Sequence, residues 1–138
     1  MTDLASIVVG DELPELRIRV TRSVVVRYSG ASTDFNEIHF SDRHARALGL
    51  PGVVAHGMWT MGAALRIVTD WAGDPARVSS YFVRFTRPVV VPDTDEGTEV
   101  VVGARVTEVA DGVAKLSITA MCAGEAVIGA ARAEVRID

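Results

Sequence analysis

Hydrophobic and polar positions alternate along most of the second half of the chain. Residues 77–88 place Tyr81, Val83 and Phe85 on one face of an extended segment. Residues 99–109 are rich in β-branched side chains, which fit a pleated, half-buried surface. In residues 113–121, Val113, Lys115, Ser117 and Thr119 oppose Ala114, Leu116, Ile118 and Ala120. Residues 126–137 carry Val127, Gly129, Ala131, Ala133, Val135 and Ile137 in step, which predicts one long strand. The turns ADG (110–112) and AGE (123–125) suit hairpins between these runs. An early strand over residues 16–20 alternates in the same way.

The middle of the chain follows another pattern. Ser41 can cap a short helix over residues 42–48, and Gly49 can end it. Residues 53–71, VVAHGMWTMGAALRIVTDW, are apolar almost all round and include Gly57, Gly62, Ala63 and Ala64. A helix apolar on every side is buried, and small residues let it approach a sheet or another helix closely. Residues 21–32, TRSVVVRYSGAS, are ambiguous. The run Val24, Val25, Val26 favours a strand, whereas the length and the turn-like SGAST ending also allow a short helix starting at Thr21. One strand, a helical middle and four long antiparallel strands predict an α+β fold. A long sheet wrapped around one central apolar helix, the hot-dog architecture, satisfies that order, although periodicity alone establishes only α+β.

Composition narrows the reading. At 138 residues, with 49% hydrophobic and 23% charged residues, the chain fits one globular domain over residues 1–138. GLPG (49–52), AGDP (72–75) and VPDTDEG (91–97) are linkers but not domain boundaries, since neither half would bury a core of its own. A net charge of −4 without a basic stretch argues against a nucleic-acid partner. The N-terminal segment carries early acids and lacks the basic region of a signal peptide, and no apolar run is long enough to span a bilayer. Cys122, the only cysteine, excludes an internal disulfide and a cysteine-clustered zinc site, and reads as a small core residue. The expected compartment is the cytoplasm.

Chemistry concentrates in two short stretches. In TDFNEIHFSD (33–42), Asp34 and His39 are five residues apart. In a regular helix or strand they would point to different faces, so they can converge only in a turn. Converged, a carboxylate and an imidazole could hold a water and move protons to and from it. Asn36 could fix the loop through its side-chain amide. An ordinary capping loop explains the same residues, and on spacing alone it is the stronger explanation. The second stretch is AHGM (55–58). The N–H of Gly57, at a helix start with its positive dipole end, could bond an oxygen that becomes negative during reaction. Tight packing explains Gly57 equally well, and a core or capping role is preferred for His56. Arg84 and Arg87 could meet the phosphates of coenzyme A or a phosphopantetheine arm, but a solvated strand face is the favoured reading. His44 is placed on the exposed side of its short helix, and Trp59 and Trp71 in core or interface packing.

Taken together, YSGASTDFNEIH and, after a gap of 13 residues, VVAHGMWTMG resemble the signature of the MaoC-like dehydratases, the R-specific enoyl-thioester hydratases of the hydratase 2 group. The resemblance continues through WAGDPARVSSYFVRFTRPVVVPD and is greatest to the catalytic, B-type subunits of actinobacterial (3R)-hydroxyacyl-ACP dehydratases. It implies a hot-dog fold with residues 53–71 as central helix and a short helix over residues 23–30. It also implies Asp34 and His39 as the catalytic pair, Asn36 as loop support and the Gly57 N–H as donor to the thioester oxygen. The implied reaction adds water reversibly to a trans-2-enoyl thioester on CoA or acyl carrier protein, giving the (3R)-3-hydroxyacyl thioester. No metal or redox cofactor is needed. The two proton transfers are not divided between Asp34 and His39 at this stage.

The chain departs from the resembled pattern at four positions. Thr33 stands where a glycine is common, Glu37 where a proline is common, Ser41 where an aspartate often follows the histidine, and Leu65 where single-chain hydratases often carry serine. Glu37 is expected to point outward. A dimer is expected, either of two copies or with a homologous hot-dog subunit. The alternatives are a non-catalytic hot-dog subunit that binds acyl thioesters within a heterodimeric dehydratase, and a hot-dog thioesterase. The second would need a carboxylate on the central helix, where only Asp70, near the far end, is available.

Overall fold

The computed structural model describes residues 2–138. Its strands are β1 (Leu16–Val20), β2 (Val78–Phe85), β3 (Thr98–Ala110), β4 (Val113–Cys122), β5 (Glu125–Ala126) and β6 (Ile128–Arg136). They form one antiparallel sheet in the order β1-β3-β4-β6-β2, with β5 paired to β4. Three α-helices, α1 (Arg22–Ser32), α2 (Asp42–Ala47) and α3 (Gly57–Ala72), come between β1 and β2. This is the α+β hot-dog arrangement, with α3 as the helix inside the sheet's curve.

Period two builds the sheet. Ala114, Leu116, Ile118 and Ala120 of β4 are buried and their alternates are not. The inner face of α3 meets that layer through Thr60, Ala64, Ile67, Val68 and Ala72, a helical stripe. Gly73 ends the helix in the left-handed region (φ 74°), its N–H donating to the Thr69 carbonyl at 3.1 Å. Among the described residues, no helix is long and apolar enough to cross a membrane.

Several boundaries differ from the sequence expectation. The central helix starts at Gly57, not at residue 53. Residues 53–55 run extended and buried, and Val54 bridges Val90. Apolarity cannot separate a buried extended segment from a buried helix. Nor is α3 buried all round, because the sheet covers one stripe and leaves Met58 and Gly62 exposed. The last long run is broken: Val127 and Ile128 are both buried, Ala130 adopts φ 47°, and the register of β2 against β6 slips there. This is a β-bulge, which inserts a residue and reverses the alternation. The valine run folds as α1 despite its strand preference. Thr21 caps its start and Thr33 its end, and only Val25 and Ser29 are buried.

Candidate active site

The site is assembled where α1 ends. Thr33 takes a left-handed conformation (φ 61°) that turns the chain sharply into Asp34. A chain of short-range hydrogen bonds then fixes the turn. The Ser32 hydroxyl donates to the Tyr28 carbonyl at 2.7 Å, and its oxygen accepts from the Asp34 N–H at 3.2 Å. Asp34 Oδ1 accepts from the Asn36 N–H, and Asn36 Oδ1 from the Ile38 N–H, each at 3.2 Å. Asn36 thereby caps the 3₁₀ turn Glu37–His39, which swings His39 inward.

Residues 53–55 hold the turn from the other side. The Val54 N–H donates to the Ile38 carbonyl at 3.1 Å, and the Val54 carbonyl accepts from His39 Nδ1 at 2.7 Å. A carbonyl can only accept, so the His39 proton sits on Nδ1 and Nε2 presents a lone pair. An Arg22–Asp42 clamp braces the same segment. Arg22 bonds both Asp42 oxygens at 2.9 Å and the Val91 carbonyl at 2.6 Å, while Asp42 accepts from the Val53 N–H at 2.9 Å. The Val53 N–H and the Arg22 guanidinium hold the Asp42 carboxyl below its ordinary pKa.

His39 Nε2 lies 3.8 Å from Asp34 Oδ2. The distance is too long for a direct hydrogen bond, and both atoms are acceptors. His39 is buried while half of the Asp34 side chain is exposed, so the pair sits at a boundary between core and opening. Burial depresses the His39 pKa below 6.5, and nearby His56 adds to this, while the Val54 bond and Asp34 oppose it. The imidazole is therefore neutral at pH 7 and free to take up a proton.

The pair opens on a cavity of about 540 Å³ that Gly57, Leu50, Phe85 and Arg87 also line. Gly57 is the first residue of α3. His56 at the N-cap makes no side-chain bond to that end, so among the described residues its first N–H groups lack a capping side chain and lie at the positive end of the dipole. A Cβ at Gly57 would come within 3.2–3.3 Å of the Phe85 ring. Of the four departures, Glu37 turns away to His44 Nδ1 at 3.2 Å, as expected of an outward side chain. Leu65 is half-buried, and Ser41 caps α2 by accepting from the His44 N–H at 3.1 Å.

Other sequence candidates separate from this site. Arg84 is exposed on β2. Arg87 is also exposed but lines the cavity, 3.6 Å from Glu125, so the solvated reading describes only Arg84 fully. Asp70 pairs with Arg66 at 3.9 Å and lines a separate cleft with Trp71, away from the Asp34–His39 pair. Cys122 is buried, its sulfur 3.3 Å from Thr98 Oγ1.

Sequence reasoning missed two residues here. Phe85 covers Gly57, a contact that follows only from the fold. His56 is buried as expected, but it makes no capping bond. Its ring stacks on His39 with centroids 3.6 Å apart, and Nε2 is 3.1 Å from the Asp34 carbonyl and 3.2 Å from Ser29 Oγ. The repeated histidine in H-x₁₆-H was the only available signal, and spacing alone could not make the two meet. Asp34, His39 and His56 bring ligand-type atoms within 4.8 Å of one another. The lone pairs of two stacked rings, 19° from parallel, run side by side rather than converging, so the cluster is built as a hydrogen-bonded stack and not as a coordination sphere.

The MaoC-like domain model matches residues 8–121. The chain belongs to the MaoC-like family. Among curated proteins it is similar to 3-hydroxyacyl-thioester dehydratase X of Mycobacterium tuberculosis, 37% identical over 81 residues, covering 59% of this chain and 28% of that protein. It is also similar to the beta subunit of 3-oxo-4,17-pregnadiene-20-carboxyl-CoA hydratase from the same organism, 32% identical and covering 80% of this chain and 82% of the relative. A solved MaoC-like dehydratase superposes with a TM-score of 0.94 at 34% identity, covering 99% of this chain and 42% of its own. The ChsH1–ChsH2 complex from Mycobacterium tuberculosis superposes at 0.82 with 26% identity, covering 95% of this chain and 98% of the matched one. The chain thus spans under a third of the first of these proteins and under half of the first solved MaoC-like structure.

Proposed function

We propose that this MaoC-like chain catalyses reversible hydration of trans-2-enoyl thioesters to (3R)-3-hydroxyacyl thioesters. The observation that carries the reading is a pair of acceptors, His39 Nε2 and Asp34 Oδ2, 3.8 Å apart on the cavity that Gly57 also lines. A water about 2.8 Å from each could donate one proton to each, leaving a lone pair on its oxygen to attack carbon. With the thioester oxygen on the Gly57 N–H, attack at C3 places negative charge on that oxygen, next to the positive end of α3. The water gives one proton to the pair and C2 gains one, so the sum is addition of H₂O. Dehydration runs the same steps backward. Neutral His39 is suited to take the water's proton, and the pair can then pass a proton to C2.

The carrier in this reading is CoA or the phosphopantetheine of acyl carrier protein, and Arg87, an exposed cation lining the cavity, is the residue proposed to meet its phosphates. The reaction requires no metal or redox cofactor. We place it in fatty-acid metabolism in the cytoplasm, in a dimer of two copies or with a homologous hot-dog subunit. The open side of α3 and a relative named as a beta subunit support such pairing.

The test is hydration of crotonyl-CoA by the purified chain, alone and with a co-expressed homologous subunit, with the product's configuration determined. A (3R) product whose formation Asp34→Asn and His39→Ala slow at least about 100-fold is expected. Loss only on mutating a partner's equivalent residues would make this chain the non-catalytic subunit. Wild type and variants equally inactive in both settings would remove the hydratase reading.

A further inference from the structure

His56 touches both members of the pair. It is 2% exposed, and its ring lies face to face with His39 at 3.6 Å. Because the Asp34 carbonyl only accepts, the proton at the 3.1 Å contact belongs to His56 Nε2. The same nitrogen is 3.2 Å from Ser29 Oγ on α1, and the Tyr28 ring stands edge-on at 4.7 Å. One side chain thus joins the last turns of α1, the backbone of Asp34 and the imidazole of His39. It is also the residue immediately before Gly57.

Packing alone does not account for a histidine here. With the proton on Nε2, Nδ1 carries a buried lone pair, and that atom has no hydrogen-bond partner among the described residues. A buried acceptor left without a donor lowers stability, and a phenylalanine would fill similar volume without that cost. His56 does not cap α3 either. What a hydrocarbon ring cannot supply is the N–H to the Asp34 carbonyl.

We infer that His56 is a positioning residue for the Asp34–His39 pair, its Nε2–H fixing the Asp34 backbone while its ring face sets the plane of His39. The N–H bond stops the turn at Thr33 and Asp34 from relaxing outward. The stack holds the plane of His39, while the 2.7 Å bond from Nδ1 to the Val54 carbonyl sets the direction in which Nε2 points. The inference rests on the hydratase reading for its kinetic consequence, but not for its structural one.

The experiment compares wild type, His56→Phe and His56→Gln in crotonyl-CoA hydration, thermal unfolding and amide hydrogen exchange of Asp34, Ile38 and His39. Phenylalanine keeps a ring against His39 and loses the donor, whereas glutamine can keep a donor near the Nε2 position. His56→Phe should remain folded and lose about 10- to 100-fold in kcat, as a misplaced reacting group does, with KM within about twofold. Exchange at the three amides should quicken. His56→Gln, which keeps a donor but not the ring, should recover most of the exchange protection and part of the kcat. Two results would overturn the inference: a His56→Phe protein at least as active and as protected as His56→Gln, or both variants matching wild type. If wild type itself fails to hydrate crotonyl-CoA, the hydratase reading falls, and the exchange data still decide whether His56 fixes the turn.

Discussion

Strand β4 and the turn that carries Asp34 and His39 are held in place by different physics. In β4, Leu116 is 1% exposed, opposite Val106 on β3 and Ala133 on β6, and apolar burial fixes it from every side. In the turn, each group is held by one or two directed bonds to the backbone, and Phe35 and Phe40 on either side are exposed. The sheet tolerates little change of volume but asks little of chemistry. The turn buries little and asks for specific donors and acceptors. Stability is concentrated in the first region and the proposed activity in the second.

Breaking that division is a matter of substituting one region and measuring both properties. Asp34→Asn should lower kcat by about 10²- to 10⁴-fold, the usual worth of a positioned acid–base group. Its melting midpoint should barely move, because the side chain is half-exposed and asparagine can still accept from the Asn36 N–H. Leu116→Ala should do the reverse, destabilising the fold by about 2–5 kcal/mol. Its folded fraction should keep wild-type kcat in assays below the unfolding midpoint. An inactive but fully stable Leu116→Ala protein would contradict the division.

Acid sharpens the comparison because it acts on the turn first. His39 in the folded chain has its pKa depressed below 6.5, so it stays neutral at pH values where the unfolded chain already binds a proton. Activity carried by the Nε2 lone pair should therefore persist at pH 6.5 and fall on an acid limb whose midpoint lies below it. Stability should be unaffected by this group above 6.5 and decline as pH falls through the window between the two pKa values. A kcat/KM profile with its acid midpoint above 6.5 would refute the neutral-base assignment.

The smallest expected effect belongs to Thr33. A β-branched residue at φ 61° is strained, whereas glycine adopts that region freely but has more entropy to lose on folding. Thr33→Gly should stabilise by no more than about 1 kcal/mol on these opposing terms. Chemical denaturation measures it, and a destabilised Thr33→Gly protein would show that the threonine side chain contributes contacts of its own.

The two regions also differed in how much of them the sequence disclosed. β3 and β4 were readable because period two is a local property of the chain. β6 was not fully so, because the bulge at Ala130 depends on pairing with β2, and Gly129 sits where a Cβ would meet Thr86 at 2.9 Å. Asp34, Asn36, His39 and Gly57 are legible as residues in the sequence, and the fold brings all four to one cavity. Their meeting was not derivable from spacing, since it depends on the reciprocal bonds between Val54 and the 38–39 backbone and side chain. Threonine gives no warning of a left-handed turn, for which glycine or asparagine is the usual signal. His56 looked like a core histidine because its two partners, Asp34 and His39, are distant in sequence.

The central claim is that Asp34 and His39 act on one water as a unit. A double-substitution cycle tests it most directly, with kcat/KM for crotonyl-CoA hydration measured in wild type, Asp34→Asn, His39→Ala and the combined variant. Groups serving one water should be strongly non-additive, the combined variant being no worse than the poorer single one within about threefold. Losses that simply multiply would mean that the two residues act independently, and the shared-water arrangement would be wrong.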